Sequence, residues 1–118
     1  MHTLEGYRVS QSVTNVLPTG DELQARIDAK PGRKVTKQQI EDRIMDVAFY
    51  QLPETTVTIC SLALDNGYSV RGESACVDPA NFDRVIGERI AYDNAFDKLW
   101  PLFGFLLAEE IFQSSEPA

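Results

Sequence analysis

Carboxylates are the side chains of this chain most capable of chemistry. Glu73, Asp78 and Asp83 fall close together in sequence, and Asp93 and Asp97 follow four residues apart. Oxygen donors of this kind suit Mg²⁺, and with a lysine such as Lys98 they would supply metal-assisted phosphoryl chemistry. Each also has an ordinary explanation. Asp78 before Pro79 has the form of a helix N-cap, with proline at the position whose missing donor costs nothing. Asp83 suits the positive end of a helix, and Glu73 can pair with Arg71 or Arg84. Gly72-Glu73-Ser74 leads from a strand toward a helix, where a glycine admits a ligand or another backbone at close range. Gly72, Glu73, Ser74, Asp78 and Asp83 are therefore the expected ligand-binding group, for a small polar ligand rather than a bare phosphate.

Other chemistries lack their parts. The single histidine is His2, at the chain start, so no serine or cysteine has an interior imidazole as base. Cys60 and Cys76 with a terminal histidine do not make a tetrahedral zinc set. No catalytic residue, metal or cofactor is assigned.

The elements that would hold these groups read as α+β. Thr19–Ala29 has a helical pattern with Asp21 and Glu22 in its first turn, and Lys30-Pro31-Gly32 ends it. Thr36-Lys37-Gln38-Gln39 has the form of a capping box, and Ile40, Ile44, Val47 and Ala48 follow at helical spacing up to Pro53. Thr55–Leu64 and Tyr68–Val77 flank Asp65-Asn66-Gly67, a hairpin signal. A three-residue turn with Gly67 left-handed pairs Leu64 with Tyr68 and Leu62 with Val70. Cys60, Leu62, Leu64, Tyr68 and Val70 then share one face, and a one-residue slip would scatter them. In that register Cys60 and Cys76 lie roughly 13 Å apart along the ladder, too far for a disulfide.

Asp78-Pro79 predicts the start of a long helix running to about Trp100, broken or kinked at Pro101, with a shorter helix over Leu102–Phe112. Phe82, Val85, Ile86, Ile90, Tyr92, Phe96 and Trp100 form its broad apolar stripe, expected to rest on the hairpin. Arg89, Asp93 and Asp97 project into the same sector and read as a buried ion network. Gly87, Ala91 and Ala95, each four apart, make a row of small residues that admits a second backbone, either an internal helix or a partner subunit. With Leu102, Phe103 and Phe105 they form the expected oligomer interface. The architecture predicted is a two-stranded antiparallel hairpin packed against a long helix with two or three shorter helices. Residues 1–18 read as a flexible arm, 19–113 as a single α+β domain and 114–118 as a disordered tail.

Charge narrows the partners. The formal net charge is −7, and residues 60–118 hold four basic against ten acidic side chains, which repels nucleic acid. Lys30, Arg33, Lys34 and Lys37 form one local basic patch, but without interleaved aromatics it reads as a solvated loop. The start of the chain lacks the pattern of a secretory signal, and Trp100–Ala108 is too short to span a bilayer.

The run Asp65-Asn66-Gly67-Tyr68-Ser69-Val70-Arg71-Gly72-Glu73-Ser74-Ala75-Cys76-Val77-Asp78-Pro79-Ala80-Asn81-Phe82-Asp83 is distinctive as a block. With Gly87-Glu88-Arg89-Ile90-Ala91-Tyr92-Asp93-Asn94-Ala95-Phe96-Asp97-Lys98-Leu99-Trp100-Pro101-Leu102, it resembles a family of small tailed-phage and prophage proteins. That family is named for gene product 49 of a coliphage and gene product 66 of a Shigella phage. The resemblance covers roughly residues 36–107. It implies an accessory protein in the cytoplasm of the bacterial host, with no catalytic residues to carry over. The expected function is binding of a host protein or small-molecule ligand by a homodimer or higher oligomer. The competing expectation is a divalent-metal-dependent enzyme acting on phosphate-containing substrates, built on Glu73, Asp83, Asp93 and Asp97.

Overall fold

The computed structural model describes residues 17–115. Most of the expected arm and the end of the expected tail lie outside that range. The chain forms two units, residues 1–33 and 34–118. In the first, α1 (Gly20–Asp28) begins where the sequence places it. Thr19 and Glu22 close a capping box, the Thr19 amide donating to Glu22 Oε1 at 2.8 Å and the Glu22 amide to Thr19 Oγ1 at 3.1 Å. None of its residues is buried.

The second unit carries α2 (Lys37–Glu41), β1 (Ile44–Gln51), β2 (Thr58–Leu64), β3 (Ser69–Ser74), a 3₁₀ turn (Pro79–Asn81), α3 (Arg84–Asp97) and α4 (Leu99–Ser115). Its sheet is antiparallel, with strand order β1-β2-β3. The fold is α+β, but the hairpin expectation is corrected to three strands. The capping box at Thr36 and Gln39 forms, yet its helix ends at Glu41 and the chain then extends into β1. Ile44, Val47 and Ala48 fit a helical period. The segment Ile-Met-Asp-Val-Ala-Phe-Tyr is also rich in β-branched and aromatic residues, and pairing with β2 decides between the two.

The hairpin adopts the bulged turn. Gly67 has φ +91°, its amide donates to Leu64 O at 3.0 Å, and the Leu64 amide donates to Tyr68 O at 2.8 Å. Leu62 pairs with Val70 and Cys60 with Gly72. Thr58, Cys60, Leu62 and Leu64 are all buried on one face. Each apolar side chain of that size, fully buried, contributes about 1.5–3 kcal/mol. Both cysteines are free thiols.

Helix α3 lies on that face with a rotation that the apolar stripe did not predict. Ala91 and Ala95 are fully buried, while Val85, Ile86 and Ile90 are 68%, 57% and 45% exposed. The cause is Gly72: a Cβ there would collide with Ala95 N and sit 2.6 Å from Ala91 O. The helix backbone rests directly on the strand, which only small residues allow. The row Gly87, Ala91, Ala95 thus does admit a second backbone, but that backbone is β3 of the same chain. As a contact between subunits the row is corrected, because its own sheet covers it.

The helix begins later than expected. Asp78 caps the 3₁₀ turn, accepting from the Ala80 amide at 2.9 Å, and Asp83 caps α3, accepting from Val85 N at 2.9 Å and Ile86 N at 3.3 Å. At the other end only Lys98 separates α3 from α4. Pro101 falls in the first turn of α4, where its lost donor has no helical partner to miss, so it does not break the helix. Ile40, Phe96, Leu99 and Phe103 complete the core at this end.

Candidate functional site

The structure gives the expected ligand group structural work. Gly72 is buried against α3, and with Ile59, Arg71, Glu73 and Lys98 it also lines a hollow of 250 Å³. The Glu73 carbonyl accepts from Asn94 Nδ2 at 2.8 Å, and Ser74 Oγ donates to Gly87 O at 2.7 Å, so both tie β3 to α3. Asp78 and Asp83 are caps. Backbone contacts account for Gly72, Ser74, Asp78 and Asp83, and involve Glu73 only through its carbonyl.

The ion network is also corrected. Arg89 pairs with Asp93 at 3.1 Å, with their side chains 66% and 48% exposed, and Asp97 is exposed as well. Their sector of α3 would have been buried had the large apolar residues faced the sheet. With the small row inward, it turns to solvent. A surface pair one helical turn apart contributes about 0.3–0.5 kcal/mol. Among the described residues no three His, Cys, Asp or Glu side chains gather as a metal-binding set, so the carboxylates behind the enzyme expectation stand apart.

What the fold does assemble is an apolar cleft between the hairpin tip and α4. Arg43, Leu64, Asn66, Tyr68, Leu102, Phe103, Phe105 and Leu106 line a volume of 280 Å³. Tyr68, assigned by register to the floor of the core, is 56% exposed and forms one wall. Phe105 and Leu106, 67% and 50% exposed, form another. Phe103 is buried at the base, and its ring carries the Arg43 guanidinium 5.7 Å from the centroid.

Arg43 is fixed from the other side by Asp65. Its Nε donates to both carboxylate oxygens, at 2.9 and 3.1 Å, and its Nη2 lies 2.8 Å from Oδ1. The Asp65 amide donates to the Arg43 carbonyl at 2.9 Å, so backbone and side chain lock the start of β1 to the turn. The guanidinium's hydrogen bonds hold the Asp65 carboxyl below the usual carboxylate range. Asn66 Oδ1 accepts from the Tyr68 amide at 2.9 Å and sets the turn that presents Tyr68.

Leu102, Phe103 and Phe105 lie within the apolar segment of α4 that the sequence singled out. Arg43, Asp65 and Tyr68 do not follow from the sequence in this role. Arg43 falls inside a stretch that reads as helix, and only the β1–β2 register brings it to Asp65. The surplus of apolar residues in α4 over what the core absorbs was the available signal.

A second, smaller hollow lies beside α3, lined by Lys37, Tyr92, Asp93, Phe96, Asp97 and Trp100. Its aromatic wall is a chain of ring contacts, Tyr92–Phe96 at 5.9 Å and Phe96–Trp100 at 6.0 Å. Burial and then the Glu41 charge push the Tyr92 phenol up, so it stays neutral.

The family described as Phage protein (N4 Gp49/phage Sf6 gene 66) matches residues 25–111, a longer span than the motifs alone suggested. No curated protein and no solved structure matches. Among the described residues no helix is long and apolar enough to cross a membrane.

Proposed function

We propose, for a chain that belongs to the N4 Gp49/phage Sf6 gene 66 family of phage proteins, a role as an accessory protein that acts by binding rather than catalysis. The observation that carries this reading is the cleft between Tyr68 and α4. It is an exposed apolar surface with a fixed cation, Arg43, and an amide, Asn66, at its margin. Apolar walls with a few oriented polar groups are the ordinary composition of a binding site. At 280 Å³ and open to solvent, it suits one or two anchoring side chains of a protein partner better than a whole metabolite. The partner proposed is a bacterial host protein, met in the host cytoplasm, that offers an aromatic or aliphatic side chain.

The test is capture from bacterial lysate by the tagged chain, followed by a binding measurement with each purified candidate. Phe105→Glu and Leu106→Glu are expected to weaken that binding at least tenfold. Arg84→Ala, on a surface ion pair away from the cleft, is expected to leave it unchanged. A partner held equally well by all three variants would refute the cleft as the site. Saturable binding of a small molecule from the eluate, with no protein partner, would replace the proposed class of partner.

A further inference from the structure

Among the described residues the sheet has two outer edges, and the chain treats them differently. The Leu64–Tyr68 bond fixes the alternation on β3, so Ser69, Arg71 and Glu73 turn their backbone groups away from β2. That edge is partly blocked. Asn94 occupies the Glu73 carbonyl, and Arg71 and Glu73 place charge along the strand. Sheets commonly block an additional strand by such means.

Among the described residues strand β1 has no comparable protection. It spans eight residues with one charged side chain, Asp46, and no lysine or proline. The Leu52 amide donates to Val57 O at 3.1 Å, so Tyr50 and Ala48 bond to β2, while Val47, Phe49 and Gln51 turn their amides and carbonyls outward. Met45, Val47, Phe49 and Tyr50 are 70%, 41%, 37% and 60% exposed, so both faces of the strand are apolar and accessible.

We propose that a second copy of this chain docks on β1, the two strands pairing antiparallel about a two-fold axis at Phe49 to join two sheets into one. An antiparallel edge is self-complementary under such an axis, since each residue both donates to and accepts from its mate. With the axis at Phe49, that residue meets Phe49 of the second copy, and Val47 meets Gln51. All three outward-turned residues are then paired. Charge limits where a copy can dock. A chain of net charge −7 repels its copy over most of its surface, and β1 is a stretch nearly free of charge. In this register Asp46 falls opposite Leu52, so no like charges meet. The contact uses none of the residues that line the cleft, and its failure would leave the cleft reading standing.

Light scattering on the full chain at micromolar concentration is expected to give twice the chain mass of 13.2 kDa. Phe49→Lys sets two lysines face to face on the axis and is expected to give a monomer with unchanged far-ultraviolet circular dichroism and undiminished capture through the cleft. A second pair of variants serves if that protein does not fold. Opposed residues in such a pair have Cα atoms about 5.5 Å apart, within disulfide reach. Phe49→Cys with Cys76→Ser is therefore expected to oxidise to a covalent dimer. Ala48→Cys with Cys76→Ser, whose residue 48 would face Tyr50 of the second copy, is expected not to. A monomeric wild type would overturn the proposal. So would a dimer that Phe49→Lys leaves intact and Phe49→Cys fails to cross-link.

Discussion

At the scale of single residues, two of the carboxylates expected to bind a ligand, Asp78 and Asp83, act on the backbone. Asp78 and Asp83 start helical segments as N-caps, Glu73 contributes only its backbone carbonyl, and Asp65 holds an arginine. The Arg43–Asp65 pair makes the clearest pH prediction. The Asp65 carboxyl titrates below its ordinary value near 3.8 because the folded state favours its charged form. A lowered folded value means that the stabilising contribution is present above the ordinary range and is lost as pH falls through the folded value. NMR titration of the Asp65 carboxyl is expected to inflect below 3.8 in the wild type and to rise toward it in Arg43→Gln. The melting temperatures of the two proteins should converge as the medium is acidified past that point. Equal Asp65 values in both would show that the pair is a static contact with no energetic preference for the carboxylate.

At the scale of elements, the governing contact is α3 on β3. Gly72→Ala is expected to cost about 3 kcal/mol, because its Cβ meets backbone atoms of Ala91 and Ala95 that cannot rotate away. Urea denaturation measures it, and a cost below about 1 kcal/mol would mean that the helix slides easily on the sheet. This contact also explains which parts of the fold were legible in the sequence. The hairpin register was legible because burial discriminates sharply between alternatives: Leu62 and Val70 share a face in one register and separate in the next. The helix start after Thr19 and the capping box at Thr36 were legible because they need only local residues. Strand β1 was not, because Ile44, Val47 and Ala48 fit a helical period and the choice rests on partners in β2, thirteen to twenty residues away for these three. The rotation of α3 was missed for a related reason. The stripe of large apolar residues favours burying Ile86 and Ile90, but the flat surface at Gly72 selects the small row, and no local pattern records that pairing. The misplaced ion network and subunit contact both followed from this one rotation. The site was read less well than the fold, since Tyr68 and Arg43 depend on β1 and the turn together.

At the scale of the whole molecule, the chain divides unequally. Among the described residues, those from 34 on contain the sheet, both long helices and every residue of the buried core, whereas α1 buries none of its own side chains. A domain keeps its fold when its core is contained within it. Residues 34–118 expressed alone are therefore expected to unfold in one cooperative transition and to retain the circular dichroism of a mixed helix–sheet protein. A fragment that is molten, with dye-accessible apolar surface and no near-ultraviolet signal, would mean that residues 1–33 complete the core. The outcome bears on function as well. The cleft at Tyr68 and the open edge of β1 both belong to this unit, so a fragment that folds should keep both surfaces. Binding to a host partner and the mass of the assembly can then be assigned to residues 34–118 without the first helix.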